Sequence, residues 1–208
     1  MALSHVGSDA QVSSIDPVDG SVESGHCARF FRLARTELLE SFSWSWAKTR
    51  VKLSAVANPS VVWAYAYGKP ANMLNASRIL QTQYLTDFGF SRLYGAVTAD
   101  EMRVWSEYGT ADYDSEGEVI LTNEPNATLL YTIDVIDTSK WSPRFNTSFS
   151  YLLASLLAGP LIKGSEGAKT SGQFRQIAMK LAGSAAATDA SSSAEPGFTL
   201  ASSIRARA

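Results

Sequence analysis

The chain has 208 residues and a mass of 22.4 kDa, with 45% hydrophobic, 11% aromatic and only 18% charged side chains, a formal net charge of -2 and a pI near 5.7. That length buries a core without staples, and that charge excludes a protein gripping nucleic acid through many Lys and Arg contacts to phosphate. A single cysteine, Cys27, excludes an internal disulfide; no apolar run reaches the roughly 18 residues of a membrane span, and no signal peptide is expected.

Met1 to Gly7 reads as a short helical stub with Gly7 as its C-cap, and Ser13 to Ser21 as a turn rich in Asp, Pro17 and Gly20. The first long helix starts at Ser21, whose hydroxyl can cap an orphan N–H, with Glu23 in the first turn. Cys27, Phe31, Ala34, Leu38 and Phe42 then recur at the helical period and define a core-facing stripe, with Arg29, Arg32, Glu37 and Glu40 largely off it. The helix exits near Ser41 into Trp44 and Trp46.

From Ala47 to Val56, Val51, Leu53 and Ala55 alternate with Lys48, Arg50, Lys52 and Ser54, the period of a strand wet on one side. Asn58-Pro59 breaks it. Val61 to Tyr67 is β-branched and aromatic and is expected as a second strand, and Ala71 to Gln83 as a further strand pairing with it or a turn of helix. Phe88, Phe90 and Tyr94 fall in an aromatic-rich loop that either packs on its own domain or touches a neighbour. Glu118 to Thr122 and Thr128 to Val135 are expected to pair as a hairpin across Asn123 to Asn126.

A second long helix begins near Ser142 with Pro143 at its first position, where a missing N–H costs nothing. Phe145, Phe149, Leu152, Leu153, Leu156, Leu157 and Leu161 give it a wide apolar stripe to set against the first helix, and Pro160 and Gly164 mark its end. A third helix over Glu166 to Leu181 is expected to turn Phe174, Ile177, Ala178 and Leu181 inward. Ser184 to Glu195 is Ala and Ser with little to bury and is expected either to extend the helix or to stay disordered until a partner fixes it, and Phe198, Leu200, Ile204, Arg205 and Arg207 give the tail an apolar and basic tip. Such a tail reads as an arm that docks on another chain.

Candidate chemistry is sparse. Asp112, Asp114, Glu116 and Gly117 imitate the start of a calcium loop, but Asn123 stands where that loop needs a bidentate Glu, so a solvated turn is the better reading. Asp134 with Asp137, or Glu116 with Glu118, could be paired glycosidase carboxylates, yet nothing in the sequence desolvates one member, which favours capping and solubility. The two histidines, His5 and His26, read as surface residues near helix starts and leave too little material for a triad or an imidazole metal site. No catalytic, cofactor-binding or metal-binding residues are assigned, and no enzyme is expected.

Cys27-Ala28-Arg29, Ala34-Arg35, Glu37-Leu38-Leu39 and Phe42-x-Trp44-x-Trp46-Ala47 together resemble the first long helix of the tail tubular protein A family, the head-to-tail adaptors of short-tailed bacteriophages. The resemblance continues through Ala2 to Gly7 with Ser13-Ser14-Ile15, Tyr65-Ala66-Tyr67 with Pro70, Glu116-Gly117 with Ile120 to Asn123, Leu130-Tyr131, Ile133-Asp134-Val135 and Phe145, and a helix with Leu152, Ala154, Leu157, Ala158 and Pro160. It finds no counterpart over Thr82 to Tyr113. It implies an α+β fold: an antiparallel helical bundle of two long helices plus a third, with an inserted antiparallel β region. The adaptor domain would cover 1–183 (helical core 1–46 and 141–183, β insertion 47–140), followed by an extended C-terminal arm over 184–208. The function implied is a structural virion protein of the phage neck, a ring of twelve copies joining the portal protein to the tail nozzle protein and letting DNA pass without specific binding, with no cofactor and no membrane. Phe88, Phe90, Tyr94 and the tail residues Phe198, Leu200, Ile204, Arg205 and Arg207 are then the candidate partner contacts. The alternative is a tail-associated glycan or peptidoglycan hydrolase using Glu116 or Asp134.

Overall fold

In the computed structural model, which describes residues 1–80, 110–162 and 164–193, the fold is α+β with antiparallel sheets. Four helices are present among these residues: α1 (Ala2–His5), α2 (Val22–Ser41), α3 (Pro143–Leu161) and α4 (Ser165–Ser193). Seven strands lie among the described residues between α2 and α3: β1 (Lys48–Lys52), β2 (Tyr65–Gly68), β3 (Met73–Leu80), β4 (Thr110–Ala111), β5 (Tyr113–Glu116), β6 (Val119–Thr122) and β7 (Thr128–Ile133). The chain divides into a helical unit, Met1–Ala47 with Asp134–Ser191, and a β unit built on Lys48–Ile133.

Local chemistry sets the helix starts. Ser21 Oγ accepts from Ser24 N–H at the head of α2, and Ser142 Oγ accepts from Phe145 N–H at the head of α3, with Pro143 already inside the first turn. Cys27, Ala34 and Leu38 of α2 are buried, as their period requires, against a face of α3 that buries Phe145, Phe149, Leu152, Leu153 and Leu157. Trp44, just past the end of α2, meets Phe145 with ring centroids 5.0 Å apart, and Phe31 meets Phe149 at 5.0 Å. Numbers rise along α2 as they fall along α3, so the two run antiparallel. Trp44 is fully buried, and its indole N–H donates to the Leu38 carbonyl at 2.9 Å, satisfying a backbone group in the last turn of α2.

Two expectations for α4 are corrected. Its buried face is Ala178, Ala182 and Ala185, while Ile177 and Leu181, expected inward, are exposed. Small side chains win because they let the helix approach closely, whereas the larger pair would hold it off. The helix also runs on to Ser193, so of the two readings of the Ala and Ser stretch the helical extension holds there, and an extended arm does not begin at 184. Alanine is the strongest helix former, and Asp189 anchors the extension: its carboxylate accepts from Ser45 N–H at 2.6 Å and Ser45 O–H at 2.8 Å.

The β unit closes on itself. One sheet has the order β1-β7-β3-β4 and the other β2-β6-β5, every pairing antiparallel. The chain beyond β1 crosses to the second sheet: Ala55 bridges Tyr67, Val56 N–H donates to Ala66 O at 3.0 Å and Gly68 N–H to Ser54 O at 3.0 Å. At the other corner β4 continues into β5, the first bonded to β3 and the second to β6. The cyclic order is therefore 48–56, β7, β3, 110–116, β6, β2 and back to 48–56. Inside lie Leu53, Tyr67, Ile79, Ile120, Ala127, Leu129 and Tyr131.

Three strand expectations change. The run from Val61 is strand only over Tyr65–Gly68, because Asn58 and Ser60 fold the preceding residues into a hydrogen-bonded loop that overrides their β propensity. Ala71 to Gln83 is strand over Met73–Leu80 as expected, but it pairs with β7 and β4 and not with β2. The strands over Glu118 to Thr122 and Thr128 to Val135 do not pair with each other: β6 pairs with β5 and β2, and β7 with β1 and β3. The tight turn at Gly117, φ +49°, makes β5 the hairpin partner of β6, and the segment after Thr122, with Asn126 at φ +56°, carries the chain to the other sheet.

Candidate functional site

Each carboxylate with a candidate chemical role has a structural occupation or an open surface. Asp134 receives two hydrogen bonds from one guanidinium, Arg35 Nε to Oδ1 at 2.7 Å and Arg35 Nη2 to Oδ2 at 2.8 Å, and the two side chains are only 8% and 16% exposed. A carboxylate held in that fork is poorly placed to shuttle a proton. Asp137 caps the turn that leads into α3, accepting from Ser139 N–H at 3.0 Å and Ser139 O–H at 2.7 Å, and these bonds hold its carboxyl below the ordinary 3.8. Glu116 and Glu118 flank the exposed turn at Gly117.

Asp112, Asp114 and Glu116 alternate along a strand instead of converging as a calcium loop does, and no group of His, Cys, Asp and Glu able to hold a metal ion occurs among the described residues. His5 is not a free surface residue: its ring stacks on Tyr151 at 4.1 Å, its Nε2 lies 3.1 Å from Ser150 Oγ, and burial lowers its pKa from 6.5. His26 is partly buried, and its Nδ1 has no hydrogen-bond partner among the described residues.

What the surface offers is contact. The loop from Val56 to Tyr65 presents Val61 fully exposed and Val62 78% exposed, with Val56 and Tyr65 also open. This loop is held in shape. Asn58 Nδ2 donates to Trp63 O at 2.7 Å, Asn58 Oδ1 accepts from Ser60 N–H at 2.9 Å, and Ser60 Oγ accepts from Val62 N–H at 3.1 Å and Trp63 N–H at 3.2 Å. Asn123, from beyond β6, ties down its far side by accepting from Ala64 N–H at 2.9 Å. A tip fixed in this way offers apolar area at a reduced entropic cost of ordering on binding. Sequence reading missed these residues by assigning Val61 and Val62 to a strand, although Asn58-Pro59-Ser60 carried the turn signal.

The candidate contacts Phe88, Phe90, Tyr94, Phe198, Leu200, Ile204, Arg205 and Arg207 lie outside the described residues. Among the described residues no helix is long and apolar enough to cross a membrane. Comparison with protein families finds no family that matches the chain, and comparison with characterised proteins finds no match either.

Proposed function

We propose that the chain is a head-to-tail adaptor of the tail tubular protein A type, a virion protein whose copies form a ring between the portal protein and the tail nozzle protein. The observation that carries the reading is the ordered series of residues that resembles that family, from Cys27-Ala28-Arg29 and Phe42-x-Trp44-x-Trp46 in and beyond α2 through Tyr65-Ala66-Tyr67 to the Leu152–Pro160 part of α3. The contact between α2 and α3, with the seven strands falling between them in sequence, supports that reading. In this reading α2, α3 and α4 build the wall of a twelve-copy ring. The β unit meets neighbours or nozzle through the Val61–Val62 tip, and the residues beyond Ser193 reach the portal. Closed rings need two unlike patches on each subunit.

A mildly acidic subunit also lets DNA pass without gripping it, because it releases few counterions from phosphate. The hydrolase alternative gains no support from the geometry, since Asp134 is occupied by Arg35 and Glu116 stands on an open strand end. Native mass spectrometry of the chain, alone and mixed with the portal protein from the same source, tests the proposal. A ring on the portal is the expected result, and a chain that stays monomeric and unbound in both samples overturns it.

A further inference from the structure

Two strands of the β unit carry opposite charge in matching patterns. In β1, Thr49 and Val51 pair with Tyr131 and Leu129 of the core, which sends Lys48, Arg50 and Lys52 to the other face, where Arg50 and Lys52 are exposed although Leu130 and Thr132 on that face of β7 are buried. In the 110–116 strand Tyr113 packs on the core, which sends Asp112, Asp114 and Glu116 outward. All but Lys48 are exposed, and none of the six forms an ion pair among the described residues. Like charges thus recur at every second residue, about 7 Å apart, on each strand.

Their placement matters as much as their sign. Among the described residues β1 is bonded over 48–52 only to β7 and β5 over 113–116 only to β6, the second side of each strand being taken up farther along, by β2 at Ala55 and by β3 at β4. In the cyclic strand order they are separated by β7 and β3 in one direction and by β6 and β2 in the other, so they occupy opposite sides of the unit. Charged end strands commonly guard sheets against pairing, but a guard repels when every edge has one sign. Here one edge is cationic and the opposite edge anionic, so a second copy brings to each edge the charge that edge lacks.

We propose that the outer face of β1, Lys48, Arg50 and Lys52, docks the acidic strand, Asp112, Asp114 and Glu116, of a second copy of this chain. The contact is heterologous, and one unit carries both halves on opposite sides, so it repeats from copy to copy until a ring closes. This deepens the adaptor reading and rests on it for the ring, while the pairing itself stands on charge and topology.

The test uses the full-length chain and two charge-reversed variants, K48E/R50E/K52E and D112K/D114K/E116K, by sedimentation velocity at low salt and again at about 0.5 M, where exposed ion pairs are screened. Wild type self-associates at low salt and loses that association as salt rises. Each variant alone, with like charge on both edges, associates about 100-fold more weakly. Mixed in equal amounts they assemble again, because each supplies the sign the other has lost. The neutral variant K48Q/R50Q/K52Q, with its melting temperature, controls for misfolding and falls between wild type and K48E/R50E/K52E.

Association that ignores both reversals, or a mixture that does not recover, overturns the pairing. So does a wild-type chain that stays monomeric at low salt while its β1 cations prove to bind duplex DNA. The adaptor reading is judged separately by capture on the portal protein: reversal variants that still form portal-bound rings sink the strand pairing alone, and a wild type that never binds the portal sinks the adaptor reading alone.

Discussion

Replacing Arg35 with Met keeps most of the aliphatic stem and removes the guanidinium, leaving Asp134 with a carboxylate only 16% exposed and without the two donors that hold it. Asp134 is the first residue of the helical unit after β7, so the fork joins the middle of α2 to the point where the chain re-enters that unit. Breaking a buried pair by removing one partner costs about 3–5 kcal/mol, far more than an exposed pair is worth. For a chain of this size that is a fall in melting temperature of about 6–20 °C. The double variant R35M/D134L removes both charges and recovers most of the loss, because a buried ion pair is close to neutral against an apolar pair of similar volume. Thermal melts and urea titrations of wild type, both single variants and the double close a mutant cycle. A cost for R35M below about 1 kcal/mol, the range of a surface pair, or a double variant that falls as far as R35M, refutes a buried, structurally coupled pair.

Asp19 organises the turn before α2 by accepting from Ser21 O–H at 2.6 Å, Ser21 N–H at 3.0 Å and Ser13 N–H at 2.9 Å, and these bonds, the Ser21 hydroxyl's above all, hold its pKa well below the ordinary 3.8. A depressed folded pKa means the unfolded chain takes up the proton first, so this contribution to stability is complete above 3.8 and is lost as pH falls through the folded value. D19N therefore melts below wild type at neutral pH, with the gap closing on the acid side of 3.8, and a gap that does not change with pH would remove the carboxylate from the explanation. V61S/V62S, at exposed positions, leaves the melt within about 0.5 kcal/mol of wild type but weakens binding to the nozzle protein in a pull-down. Unchanged binding would retire the tip as a contact, and a large loss of stability would show that the two valines are packed.

Much of the helical unit was legible because its signals are local. Ser21 and Ser142-Pro143 carry their capping chemistry within three residues, and the α2 stripe of Cys27, Ala34 and Leu38 follows from period alone. Strand pairing was not legible in the same way. β6 and β7 are neighbours in sequence with a turn-rich link, which is the usual hairpin signal, but the choice between β5 and β7 as partner depends on which faces must enter the closed core. On the inward face of α4 Ala178 was legible, but Ile177 and Leu181 were set beside it because hydrophobicity ranks them above Ala182 and Ala185, while close packing selects for size. The aromatic partners Trp44, Trp141 and Phe145 were visible singly; that Trp141 meets Phe145 with centroids 4.9 Å apart, and donates its indole N–H to Val135 O at 3.0 Å, depends on the return of the chain from β7.

Lys48, Arg50 and Lys52 read in sequence as the wet side of a strand, and Asp112, Asp114 and Glu116 as a failed calcium loop, and each reading is sound on its own. Neither run identifies a partner, because alternating charge on an exposed strand is ordinary. Closure of the sheet changes their meaning: it fixes one run on the side of the β unit opposite the other and turns both outward. Two patches of opposite sign on opposite sides of one subunit are the minimum needed for a heterologous contact that propagates. The specificity of such a contact resides in the penalty for the wrong orientation, since turning a copy around sets lysine against lysine and aspartate against aspartate.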